Sequence, residues 1–168
     1  MSFKKNVIAF FIIGILGVTG HFVYEWSGEN YAIGLFFPVN ESTWEHLKLL
    51  FFPTVIYSAF EYFLSNEKPN NYLQSVVFST ICGMLWIIIL FYTIKGVFGK
   101  SPDFINISIY FISIIIMLCK KTKLIKREKF ELPLFHWLAL IAGILVATLF
   151  IFYSYNPPSI NLFIPPVA

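Results

Sequence analysis

Five apolar stretches, each near the length of helix that crosses a bilayer, occupy most of this 168-residue chain. A bilayer core takes about 20 consecutive helical residues. The stretches run from about 6 to 26, 42 to 64, 72 to 94, 104 to 119 and 134 to 155. Hydrocarbon offers no water to satisfy N–H and C=O groups, so such runs must be helical. The expected fold is all-α: an integral membrane bundle of five transmembrane helices, forming one domain over 1–168. Composition points the same way. Hydrophobic residues make up 58% of the chain and charged ones 12%, where a soluble domain is about a quarter charged. The fourth stretch is the shortest, and Pro102 before it is a favourable first-turn residue.

Lys and Arg set the expected orientation. Lys120, Lys121, Lys123, Lys126, Arg127 and Lys129 follow the fourth span, and Lys4 and Lys5 precede the first. With five spans these segments share a side with the short Glu67–Lys68 loop. Basic loops stay in the cytoplasm, so the N-terminus is expected to be cytoplasmic and the C-terminus external. The expected location is a bacterial cytoplasmic membrane, with the lipid bilayer, and other membrane proteins, as partners. No nucleic-acid partner is expected, because the basic residues flank apolar spans and lack a folded module around them. Lys4 and Lys5 before an apolar run resemble a signal peptide, but Tyr24, Glu25 and Trp26 stand where small residues would be cleaved, so the run reads as an uncleaved span.

Tyr24, Trp26, Tyr31 and Trp44 fall at the expected outer interface, where amphipathic rings prefer to sit. Gly14, Gly17 and Gly20 recur every three residues on the first helix, a stripe that lets another helix of the bundle approach closely. Cys82 and Cys119 lie within spans and read as small hydrophobes. No repeat is visible, and an odd span count argues against paired inverted halves.

Against this apolar background stands one polar cluster. His21 and Glu25 are four apart on the first helix and share a face. The second helix opens with Pro38-Val-Asn-Glu-Ser-Thr-Trp-Glu-His-Leu-Lys. Ser42 and Glu45 have the spacing of a capping box, and Asn40 is an alternative cap. At 100° per residue Glu41, Glu45 and Lys48 project from a common face, with His46 about 100° round from Glu45. Two readings remain open. In the structural one Glu45 caps, Lys48 neutralises the acids and Trp44 anchors at the interface. In the functional one His21, Glu25, Asn40, Glu41, Glu45, His46 and Lys48 line a polar pocket. His21, Glu25, Glu45 and His46 would then be ligands for a divalent metal such as zinc, with Glu41 also within the converging set. No H-E-x-x-H is present.

Other features are more isolated. Pro53 is expected to kink the second helix. Glu61, near its cytoplasmic end, is expected to snorkel or pair with a Lys of the inner loops. His136 opens the fifth span on the inner side, out of reach of His21 and His46. A haem held between His21 and His46 is a geometric alternative, without further His or Met ligands in register. Proline pairs end the fifth helix, and the apolar tail after Tyr155 is expected to fold over the outer mouth as a lid or a cover.

The His21-Phe-Val-Tyr-Glu-Trp and Pro38-to-Lys48 segments, with the terminal Asn-Pro-Pro and Phe163, resemble a family of small bacterial multi-pass membrane proteins of unknown function. The resemblance implies a five-span membrane protein and no particular activity. A looser likeness to membrane ceramidase-type hydrolases lies in the Glu-x-Asn-Tyr and Asn-Glu-Ser wording. Those proteins have more spans and further histidines, so their zinc site is not carried over. The first functional expectation is an accessory or binding subunit of an envelope or transport system. The alternatives are a metal-assisted hydrolase or transferase acting on a lipid or envelope substrate, and a small-solute or ion carrier. Few charged residues on the third and fourth spans are available to line a transport route.

Overall fold

The computed structural model describes residues 3–66 and 68–166; Glu67 of the expected inner loop lies outside them. The elements are α1 (Phe3–Trp26), a single turn α2 (Tyr31–Gly34), α3 (Thr43–Leu64), α4 (Tyr72–Phe98), α5 (Asp103–Ile125), a 3-10 turn (Glu128–Glu131) and α6 (Pro133–Tyr153). No strand occurs among the described residues. Five helices, α1 and α3 to α6, are long and apolar enough to cross a membrane. Two of them outrun their apolar stretches. α5 continues from residue 119 to Ile125 because Lys121 and Leu124 turn inward and are buried, while Lys120 and Lys123 stay exposed. α4 continues to Phe98 and stops at Gly99, whose φ of 73° is left-handed and suits glycine.

α3 is the central helix. Half of its most apolar window is buried, against 11% for α6. α1 packs on α3 and α5, α4 packs on α3 and most extensively on α5, and α6 lies on the outside of α4. Ile13, Leu50, Ile114 and Met117 meet at the centre, and Phe150 carries the core into α6. An Asn6–Thr122 hydrogen bond sets the start of α1 beside the end of α5. A Lys48–Ser154 bond sets the start of α3 beside the end of α6. The bundle thus has one end rich in Lys and Arg and an opposite end carrying the polar cluster.

The glycine stripe of α1 is filled from within the chain. Phe111 rests on Gly14, Phe37 on Gly20, and the Tyr110 hydroxyl on Gly17, where a Cβ would collide with it and with the Leu49 carbonyl. That contact has a cause in α3. Pro53 has no N–H, so the Leu49 carbonyl lacks its helical donor. The Tyr110 hydroxyl lies 3.2 Å from that carbonyl and 3.1 Å from the carbonyl of Ile13. α3 continues unbroken through the proline.

Polar side chains also lock the basic end. The Asn71 amide lies 3.1 to 3.2 Å from the carbonyls of Leu124, Ile125 and Arg127, gathering the backbone where α5 ends. Gln74 donates to the Phe130 carbonyl at 2.6 Å, fixing the turn into α6. Glu61 pairs with the buried Lys121 of α5, and the Tyr72 hydroxyl lies 2.6 Å from the same Glu61 oxygen.

Candidate metal centre

The site is built on the first turn of α3. Ser42 is the N-cap, its Oγ accepting the Glu45 N–H at 3.3 Å. Asn40 Oδ1 accepts the Ser42 N–H at 2.9 Å, folding the preceding residues back on themselves. The second half of the expected capping box does not form. Glu45 Oε2 instead accepts the Val39 N–H at 3.0 Å and the Lys48 ammonium at 2.7 Å. Lys48, fully buried, also donates to the Gly34 carbonyl at 2.9 Å and to Ser154 Oγ at 2.6 Å. Glu45 and Lys48 therefore pin the connection from α1 and tie it to the end of α6.

That anchoring leaves Glu41 outside the helix. The 100° rule holds for Glu45 and Lys48, but Glu41 precedes the N-cap, where helical spacing does not apply. It swings instead to the side occupied by His46 and α1. His46 Nδ1 donates to the Ser42 carbonyl at 2.8 Å. This bond fixes the ring and leaves Nε2 as the free nitrogen of the neutral imidazole. His46 Nε2 lies 3.2 Å from His21 Nε2 and 3.4 Å from Glu41 Oε2, and His21 Nε2 lies 3.6 Å from the same Glu41 oxygen. The circle through these three atoms has a radius of about 2.0 Å, the length of a zinc bond to imidazole or carboxylate.

The triangle is open on one side. Each imidazole keeps 31% of its side-chain exposure and Glu41 keeps 66%. The Glu41 carboxyl is held below the usual carboxylate range, first by its hydrogen bond with His46, against the opposing effect of burial. Imidazole and carboxylate together suit zinc and neighbouring divalent ions. Axial haem ligation between the two histidines does not fit, since nitrogens on opposite faces of a macrocycle stand further apart than 3.2 Å.

Of the four residues expected as ligands, the structure brings together His21 and His46. Glu45 is committed to Lys48 and Val39. Glu25 is exposed and makes no ion pair among the described residues. Glu41 completes the group. Asn40 shapes the turn, and His136 sits in the first turn of α6 at the opposite end. The tail does not reach the triangle through any hydrogen bond or ring contact among the described residues. The Trp44 backbone N–H donates to the Leu162 carbonyl at 2.9 Å, and Phe163 is buried against Trp44 and Tyr153. The tail thus covers the Trp44 side of α3. The connection from α1 is closed by Tyr155, stacked on Tyr31 with ring centroids 4.4 Å apart.

Five apolar helices around a polar cluster at one end define a multi-pass membrane architecture. The family model DUF6512, a family of unknown function, matches residues 2–168, and the chain belongs to that family. No curated protein and no solved structure matches it.

Proposed function

We propose that this protein binds a zinc-like divalent ion at the membrane surface through His21, His46 and Glu41, and uses it in hydrolysis or group transfer on a lipid or envelope substrate. One observation carries the reading: two ring nitrogens and a carboxylate oxygen lie 3.2 to 3.6 Å apart, with one ring already fixed through its far nitrogen. Three protein ligands beside an exposed face are the pattern of a catalytic zinc site, whereas structural sites close with four. A resident ion would supply Lewis acidity toward an oxygen of water or substrate. The positive-inside rule puts the Lys- and Arg-rich end in the cytoplasm and the triangle at the external face of a cytoplasmic membrane.

The competing reading is a metal-free hydrogen-bonded cluster in a non-catalytic accessory subunit. It is favoured by the close Nε2–Nε2 contact, which a proton shared between the rings also explains. Elemental analysis of the detergent-purified protein separates the two. The metal reading expects about one zinc-like ion per chain, lost in His21→Ala and in His46→Ala while both variants keep a cooperative melt. Wild-type protein that takes up no ion from zinc, manganese, cobalt or nickel would sink it.

A further inference from the structure

We infer that the protein holds an anionic phospholipid of the phosphatidylglycerol type in a cleft between the end of α4 and the C-terminal tail. The cleft is a half-open cavity of about 310 Å³, at the lower end of the size range of ligand pockets. Phe91, Tyr92 and Ile164 supply apolar walls, and Lys95, Thr43 and Asn161 supply the polar groups. Such a division fits a molecule with a hydrocarbon body and a hydroxyl-bearing anionic head.

Lys95 decides the charge of the occupant. Its ammonium lies 5.9 Å from the Phe91 ring centroid, and no carboxylate pairs with it among the described residues. Helix C-termini favour cations, but the Lys95 side chain lies along Phe91 at the cleft. The height is also right. Lys95 stands about 35 Å along α4 from Tyr72, beyond the roughly 30 Å of hydrocarbon and at the level of lipid phosphates. A cation at that level beside apolar walls attracts lipid headgroups. Asn161 and Thr43 add hydrogen-bonding groups that a glycerol head would engage. The cleft shares only the first turn of α3 with the metal centre, and the inference stands whether or not an ion binds there.

The test compares retention of short-chain phosphatidylglycerol and phosphatidylcholine of the same chain length by native mass spectrometry in uncharged detergent. Wild-type protein is expected to retain phosphatidylglycerol over phosphatidylcholine by about fivefold, the size of one lysine–headgroup contact. Lys95→Gln should abolish that preference and Lys95→Arg should keep it. Lys120→Gln, at the other end of the bundle, should leave it intact. Equal retention of both lipids by the wild type, an undiminished preference in Lys95→Gln, or an equal loss in Lys120→Gln would overturn the inference. So would displacement of the lipid by glycerol 3-phosphate at matched concentration, which would make the site one for a free anion.

Discussion

His46 is bonded at one ring nitrogen and poised at the other, and that division predicts how single substitutions behave. Nδ1 is committed to the Ser42 carbonyl and Nε2 faces His21 and Glu41. Glu41→Gln removes the proposed anionic ligand from an exposed position. It is expected to weaken zinc binding at least about tenfold with little change in melting temperature, as read by competition with a chromogenic chelator. Glu25→Gln, in the same assay, is expected to leave affinity unchanged. Glu41 is held below the ordinary carboxylate range, so it keeps its charge further into acid than a free carboxylate does. Zinc affinity should nonetheless fall as the pH is lowered, because a protonated imidazole cannot ligate, measured by the same competition from pH 8 to pH 5. The two histidines were legible from the sequence as the only imidazoles near one level. Choosing between Glu41 and Glu45 was not, because the choice depends on which residue caps the helix and on a backbone N–H, that of Val39, six positions before Glu45.

At the scale of elements, α3 joins the bundle through polar contacts that hydropathy does not reveal. Its apolar run was plain from the sequence, and so was the proline within it. The device that accommodates the proline was not, since Gly17, Leu49 and Tyr110 come from three helices. Tyr110→Phe removes the donor that serves the Leu49 carbonyl and is expected to cost about 1 kcal/mol. Gly17→Ala forces a methyl group against that hydroxyl and should cost about 1 to 3 kcal/mol. In the double variant the costs should be somewhat less than additive, because the nearest colliding atom is gone while the Leu49 carbonyl and the ring carbon Cζ still stand 2.7 Å from the new methyl group. Denaturation in mixed micelles checks all three, and strict additivity would contradict the contact. α5 shows a second limit of the sequence. Its last turn is cationic, yet it remains helical because Lys121 is turned inward to Glu61, and a hydropathy window cannot see which way a lysine points.

The molecule as a whole has a charge asymmetry and a fastening. The asymmetry was readable from Lys and Arg alone, and it predicts opposite accessibility at the two ends. In a Cys82→Ala/Cys119→Ala background, Ser27→Cys should react with an impermeant maleimide added outside intact cells, and Lys126→Cys should react only after lysis. Equal labelling from outside would reverse or erase the proposed orientation. The fastening is Lys48. Its ammonium joins α3 to the connection from α1 and to the end of α6. Lys48→Met strands the Glu45 carboxylate in a buried place, at an expected cost of about 3 to 5 kcal/mol in a denaturation experiment. Combining it with Glu45→Gln should recover part of that loss.

The Lys48 knot also sets an order on biogenesis. All three atoms of the His21–His46–Glu41 triangle come from residues 21 to 46, but the hydroxyl that completes the knot belongs to Ser154. A nascent chain with four helices inserted already carries both imidazoles and the acid, yet its buried ammonium still lacks one of its acceptors. The turn bearing Glu41 is therefore fully braced only after α6 has been made and packed, so the triangle takes its final shape after the last of the five long apolar helices is in place.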